Sequence, residues 1–334
     1  MILALAFGFA RLEELHAHKN PALHFISIII PIRNESTIPD LSQLKYPSDK
    51  WELIVVDDSD QPGQLSIPTL RSPSPGKKAA ITAGVASAKG DIIVTTDADC
   101  SVNPMWLNEI NKGFQDQKIK MLVGGVRIAE DKSFFSKLQA LEFVSVAVTG
   151  AATIGLGFPT MCNGANLAYR KQSFIELNGY EGNEKISSGD DVFLMNKFPK
   201  DAVGYIYSKD AVVTTSPQHG VFSFINQRLR WAGKWSANTS VFTKIFAVII
   251  FLFHASFVTM AFIVPWKLFF ILAGAKFFVE CILLIPASNF FRTKWRWISF
   301  LVLQLVYPVY VISIGLLSQV VLPKWKGRVV ETKV

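Results

Sequence analysis

The apolar, β-branched run Ile92-Ile93-Val94-Thr95 leads into two carboxylates one residue apart, Asp97 and Asp99. Such a run reads as a buried parallel strand. Ligands of open α/β sheets sit beyond the carboxyl ends of the strands, so both side chains would emerge where chemistry is done. Residues i and i+2 of an extended segment share a face. Two carboxylates on one face suit a hard cation, Mg2+ or Mn2+, completed by substrate phosphate oxygens. Asp is also common in turns, so the pair alone reads equally well as a polar strand end. The other strand ends decide between the two. Arg33-Asn34-Glu35 closes one apolar run and Asp57-Asp58-Ser59 closes another. Asp58 is placed to hydrogen-bond a base or a ribose hydroxyl, and three polar strand ends at one edge are hard to explain structurally. Lys77 and Lys78, behind Gly76, offer ammonium groups, backbone donors and a helix dipole to a phosphate; as bare surface charges they would mean nothing. Gly189-Asp190-Asp191 opens a short apolar segment, where an acid is good capping chemistry as well as a candidate base.

The elements that must hold these groups follow from pattern. Strands are expected at Ile26 to Ile32, Trp51 to Val56, the run before Asp97, and Met121 to Ile128, with helices from Gly76 to about Ala88 and from Pro104 to about Gln117. This alternation argues an α/β fold with helices covering a parallel sheet. Phe134 to Pro159 reads as a helix near the membrane surface plus a loop, with a buried core helix close behind; Met161 to Arg170 reads as a glycine turn feeding a short strand. A helix is expected from Val192 to Phe198, with Ser or Gly ahead of the paired Asp as its cap. Val221 to Trp235 is amphipathic and basic, carrying Gln227, Arg228, Arg230, Trp231, Lys234 and Trp235, and reads as an interfacial helix.

Half of the 334 residues are apolar and the net charge is +8. That is too apolar for an ordinary soluble domain and too charged for a wholly membrane-embedded chain, so a soluble part joined to membrane segments is expected. Membrane headgroups and a diphosphate substrate explain the basic balance more economically than nucleic acid does. Three apolar segments, Ile245 to Val264, Leu268 to Ala287 and Ile298 to Leu322, are near the length of a bilayer span. The middle one carries Lys276 and Glu280, four apart and able to pair on one helix face. Met1 to Ala10 is too short to span and reads as an interfacial anchor or the remnant of a span. The expected organisation is an anchor over 1–24, a catalytic domain over 25–220, an interfacial helix over 221–240 and a membrane region over 241–334. Three cysteines without C-x-x-C spacing indicate neither a disulfide framework nor a zinc site. No G-x-x-x-x-G-K-[ST] is present and no G-x-G-x-x-G follows the first strand, which disfavours ATP hydrolysis and dinucleotide redox chemistry.

Taken in order, Pro31-x-Arg33-Asn34-Glu35, Val56-Asp57-Asp58-Ser59, Gly76-Lys77, Asp97-Ala98-Asp99, Gly189-Asp190-Asp191 and Gln227-Arg228-Leu229-Arg230-Trp231 resemble the membrane-bound family-2 glycosyltransferases. Cellulose, chitin and hyaluronan synthases and ceramide glucosyltransferase belong to that group. The resemblance spans about residues 25–235. It implies a GT-A fold, a Rossmann-like mixed sheet followed by transmembrane helices. It also implies a nucleotide-diphosphate sugar donor such as a UDP-sugar, a divalent cation, a saccharide or lipid acceptor, and inversion at the anomeric carbon. Carried over residue by residue, Asp58 and Asp97 contact the nucleoside and Asp99, with Asp97 beside it, the metal. Pro31, Arg33, Glu35 and Lys77 fall on the donor side, and Gln227 and Arg230 hold the diphosphate. Asp191 is the base for the acceptor hydroxyl, Trp231 a platform under the acceptor, with Gly164 and Asp190 beside it. Asp190 stands where the family usually has Glu, a shorter side chain.

Two other classes compete: a channel or transporter with a nucleotide-sensing domain, which the lack of an internal repeat disfavours, and an inactive scaffold, which intact Asp97, Asp99, Asp191 and Arg230 disfavour. Three spans are few for a chain-secreting channel, so an oligomer or an envelope partner protein would have to complete such a path. The resemblance places the enzyme in the cell membrane as a multi-pass protein with its catalytic domain cytoplasmic. Arg292-Thr293-Lys294-Trp295-Arg296 is then a cytoplasmic loop by the positive-inside rule, and three spans deliver the basic tail at Lys324 to Arg328 outside.

Overall fold

The computed structural model describes residues 1–14, 21–61, 65, 67–183, 186, 189–234, 240–322, 324–325 and 328–329. The expected Ser187 and Ser188 caps, Trp235 and the tail beyond 329 lie outside the described residues. A seven-stranded sheet runs in the order β3-β2-β1-β4-β7-β5-β8. Its strands are β1 (Ile26–Ile32), β2 (Trp51–Asp57), β3 (Leu70–Arg71), β4 (Ile92–Thr95), β5 (Met121–Gly124), β7 (Leu167–Arg170) and β8 (Val203–Ile206). β7 is antiparallel to both β4 and β5, which makes the sheet mixed, while the remaining pairs are parallel. A second, two-stranded sheet joins β6 (Val126–Ile128) to β9 (Val213–Thr215).

β1 is buried on both faces because its sequence is apolar almost without interruption. Ile26, Ile28, Ile30 and Ile32 pack with Trp106, Leu107 and Ile110 of α3 (Trp106–Gly113), while Ile29 faces Ala80, Ile81 and Val85 of α2 (Lys77–Ser87) on the other side. Pro31 lies past the last β1–β4 pair, Ile29 opposite Thr95, so its missing N–H removes no ladder bond on that side. The expected single strand from Met121 to Ile128 is two strands in different sheets. A Cβ on Gly124 would stand 2.2 Å from the Asn166 amide, whose Nδ2 donates to the carbonyls of Gly125 and Ala211 at 2.8 and 2.7 Å. The chain bends there to enclose a buried amide.

The stretch from residue 134 is one continuous helix, α4 (Phe134–Gly155), capped by the Ser133 hydroxyl and largely buried. It is a core helix for most of its length, so the buried part comes first and the loop follows. α1 (Ile2–Ala10) packs on α4 at a pair of glycines, where a Cβ on Gly155 would lie 2.1 Å from the Gly8 carbonyl oxygen. α5 (Lys171–Glu176), α6 (Asp190–Met195) and α7 (Val221–Gly233) precede three long apolar helices, α8 (Val241–Ile263), α9 (Trp266–Phe290) and α10 (Trp297–Leu317). By length and composition α4, α8, α9 and α10 could each cross a bilayer, but α8 to α10 expose most of their surface and α4 does not. The Lys276–Glu280 pair forms at 2.7 Å, and Gln304 of α10 accepts from Lys276 at 2.8 Å. The core runs across the boundary expected at residue 241: Leu283, Leu284, Ala287, Phe290 and Phe291 sit in one cluster with Tyr205, Leu5 and Phe9.

Candidate active site

The C-terminal ends of β1, β2 and β4 open onto one cavity of about 1190 Å3. Asp97 and Asp99 are not on an extended strand as expected: β4 ends at Thr95, and the two flank a turn in which the Cys100 N–H bonds the Asp97 carbonyl at 3.2 Å. Asp58, just past β2, accepts from the Gly76 N–H at 2.8 Å, tying a strand end to the start of α2. Gly76 takes φ +120, so the turn into that helix needs glycine. Arg33 is buried and donates to the Asp58 carbonyl and to Asp60 Oδ2, each at 2.7 Å, bracing the β1 and β2 loops. Pro31 and Glu35 line the same wall.

Lys77 Nζ stands 2.7 Å from Asp97 Oδ1 and 3.3 Å from Asp190 Oδ2, joining two acids distant in sequence. Lys78 does not join it: it is buried and donates to the backbone carbonyls of Asn183 and Ile186. Gly189, at φ +80, turns the chain into α6 without a side-chain cap, which sets Asp190 and Asp191 in the first turn. Gly164 fits between them; a Cβ there would meet Asp190 Oδ2 at 3.0 Å and Lys77 Nζ at 3.3 Å. Its carbonyl is held by the Thr95 hydroxyl at 2.9 Å. Asp191 accepts from the Val192 and Gly164 N–H groups at 2.8 and 3.3 Å and lies 3.4 Å from Lys234 Nζ.

The electrostatics separate the carboxylates. Burial, then the facing Asp97, pushes the Asp99 carboxyl above its ordinary range, although the Thr215 hydroxyl donates to it at 3.0 Å. Burial pushes Asp191 the same way, but Lys234, the Val192 N–H and Lys77 outweigh it and hold that carboxyl low. Burial lowers the Arg230 guanidinium, which faces Asp190, Asp97 and Asp191. Gln227 Oε1 accepts from Arg228, and Trp231 lies 4.2 Å from the Arg228 guanidinium carbon and packs beside Phe143. Beyond this cluster the cavity continues along Thr243, Ala247 and Phe251 of α8 and Tyr307, Val311 and Gly315 of α10. The expected residues therefore line one cavity, and Thr215, Lys234 and the Glu142–Arg228 pair join them. Lys234 was legible as a site residue, since Gln227, Arg230 and Lys234 fall at i, i+3 and i+7 on one helix face. Thr215 carries no such signal.

The mixed sheet with carboxylates beyond its strand ends is a GT-A fold, and the apolar helices that follow it are long enough to cross a membrane. The chain belongs to glycosyl transferase family 21, whose family model matches residues 69–333. It is 25% identical over 193 residues to glycosyltransferase AglE of Haloferax volcanii, covering 50% of this chain and 59% of that one. It is also 25% identical over 254 residues to the beta-monoglucosyldiacylglycerol synthase of Trichormus variabilis, covering 69% of this chain and 53% of the relative. The chain thus spans little more than half the length of these relatives. The mannosyltransferase PcManGT from Pyrobaculum calidifontis, solved with GDP-Man and Mn2+, shares the fold at a TM-score of 0.53 and 15% identity, over 96% of this chain and 94% of that one. The expected membrane glycosyltransferase is borne out, with 21 as the family that matches.

Proposed function

We propose that the protein moves a sugar from a nucleotide-diphosphate donor, a UDP-sugar in the first instance, to a hydroxyl of a lipid or saccharide acceptor. Transfer inverts the anomeric carbon, as in the family-2 type, at the cytoplasmic face of a cell membrane. One observation carries this reading: a single cavity joins the strand-edge carboxylates and cations to a wall built by α8 and α10. That wall favours a lipid acceptor, and the diacylglycerol-linked name of the Trichormus relative agrees.

Asp191, ionised and held by Lys234, takes the proton of the attacking hydroxyl. The new bond forms from that oxygen to the anomeric carbon as the bond to the diphosphate breaks. Lys77, Arg230 and Gln227 meet the charge developing on the leaving group. Asp58 holds the nucleoside, Pro31, Arg33 and Glu35 shape the donor wall, and Trp231, Gly164 and Asp190 border the acceptor.

The cavity lining carries seven carboxylate side chains against five cationic ones, an excess that a divalent cation would balance. Asp97 and Asp99 would hold Mg2+ or Mn2+, which supplies counter-charge to the departing diphosphate. Among the described residues no group of three or more His, Cys, Asp or Glu is placed to hold a metal alone, so donor oxygens would complete the shell. The Mn2+ in the Pyrobaculum structure supports this assignment. Membranes containing the protein, incubated with a panel of nucleotide sugars with and without Mn2+, should yield a glycosylated product identifiable by mass. A mass increment of one sugar on lipid supports the favoured acceptor, and no product from any donor defeats the reading.

A further inference from the structure

One buried ion pair lies beside the cavity, away from the acids assigned to donor and acceptor. Glu142, on α4, and Arg228, on α7, each expose only 4% of their side chains. Arg228 grips Glu142 with two nitrogens, Nη2 to Oε2 at 2.5 Å and Nε to Oε1 at 3.2 Å. Its guanidinium is sandwiched, 4.5 Å from the Phe224 ring and 4.2 Å from the Trp231 ring. A third element joins from the apolar helices: Tyr310 of α10 donates to Glu142 Oε1 at 3.2 Å and stacks on Phe224 at 5.8 Å. Arg228 also donates to Gln227 Oε1, which fixes that amide with its oxygen toward Arg228 and its NH2 away from it.

Taking two charges out of water costs more than their attraction returns unless the geometry is good and every lone pair is met. A pair of well-packed apolar residues would serve packing alone at least as well. What the pair supplies that apolar residues do not is direction, because a bidentate guanidinium has one orientation toward a carboxylate. α7 displays two neighbouring faces. Arg230 and Lys234 form the face toward the carboxylate cluster, with Gln227 lining the cavity beside them, and Phe224, Arg228 and Trp231 form the face that Glu142 and Tyr310 hold. Rotating α7 about its axis would carry Gln227 and Arg230 off the leaving group together.

We infer that Glu142 is a positioning residue for the transfer reaction: through Arg228 and Tyr310 it locks the rotation of α7 against α10, so that the diphosphate-binding face and the α10 cavity wall keep a fixed register. This rests on the function proposed above. With only 4% of its side chain exposed, Glu142 acts through Arg228 and Tyr310.

The test uses the full chain in nanodiscs. Glu142→Gln should lower kcat for transfer at least about tenfold and change donor KM by less than that, since the displaced groups are those that meet the charge developing on the leaving group in the transition state. The double variant Glu142→Met with Arg228→Met removes both buried charges and should recover the melting temperature without recovering kcat. A folded double variant with wild-type kcat would show that the pair is packing only and overturn the inference. Hydrogen exchange of the α7 amides gives a readout that needs no substrate. Glu142→Gln should speed exchange over residues 224–233 and leave β1 unchanged; equal exchange along α7 would overturn the inference even where wild type transfers normally. Wild type that binds no donor and transfers nothing would instead defeat the function itself, with the exchange result still deciding the role of Glu142.

Discussion

Asp191 shows how a carboxylate stays both buried and ionised. The Lys234 ammonium, two backbone N–H groups and Lys77 more than offset the burial that would otherwise neutralise it. A carboxyl pKa held low adds stability that is complete above the unfolded value and is lost as pH falls through the folded one. Asp191 is therefore ionised at neutral pH, and, as the base proposed, it should place the acid limb of a pH–kcat/KM profile below the ordinary Asp value of 3.8. Lys234→Met, which removes the largest favourable charge, should move that limb upward; an unmoved limb would take Asp191 out of the base role. Asp191→Asn should cost at least ~10²-fold in transfer, the low end for loss of a general base, with UDP–Mn2+ affinity retained in calorimetry. Asp99→Asn has the opposite signature. Wild type should gain about 2.7 kcal/mol of stability when UDP–Mn2+ is present at a hundred times its dissociation constant, and the variant should gain far less at that same concentration. Equal gains would make the Asp97–Asp99 turn a structural one.

Elements were legible where one physical signal dominated. β1, β2 and the three long apolar helices follow from continuous apolar runs, and their observed limits fall within a few residues of those expected except at the end of α10. Legibility failed where a distant partner decided the backbone. Nothing local to Met121 to Ile128 reveals that Asn166 will occupy the space beside Gly124, so one strand was expected where two exist. Lys78 reads like Lys77 in sequence, but the carbonyls of Asn183 and Ile186 and the ring of Phe193 draw it inward. Asp58, Asp97 and Asp99 were readable because they follow successive strands, and Asp190 and Asp191 because they open a helix behind Gly189, whereas Thr215 and Glu142 meet partners more than 80 residues away. The packing of α1 on α4 is likewise invisible locally, yet testable. Gly155→Ala would put a methyl group against the Gly8 carbonyl and should cost about 1–3 kcal/mol in thermal unfolding, the usual range for overpacking. No loss of stability would mean that the two helices separate readily.

At the scale of the whole molecule, the turn between α9 and α10 is fastened to the α/β unit. Arg292 pairs with Asp210 at 2.6 Å, Arg296 pairs with Glu130, and Arg127 donates to the Arg292 carbonyl at 2.8 Å. This basic turn therefore shares a side with the sheet, in keeping with two crossings by α8 and α9. A cysteine at Lys294, in a cysteine-free background, should react with impermeant label in intact cells only after permeabilisation. Labelling without permeabilisation would place the α/β unit outside.

The core that extends into α9 has a consequence for how the protein is made. Phe290 stacks on Tyr207 at 4.5 Å and meets Phe9 edge-on at 5.7 Å, so the aromatic plug of the α/β unit is supplied by a helix synthesised long after it. As the ribosome delivers the chain, the sheet emerges first and waits with an open seam until residues near 290 arrive. On the function proposed, catalytic competence would wait for α9, because the seam that it fills belongs to the same core as the sheet. A fragment ending at residue 240 should accordingly bind a hydrophobic dye and melt over a broad range, whereas sharp, cooperative melting would show that the seam closes without α9.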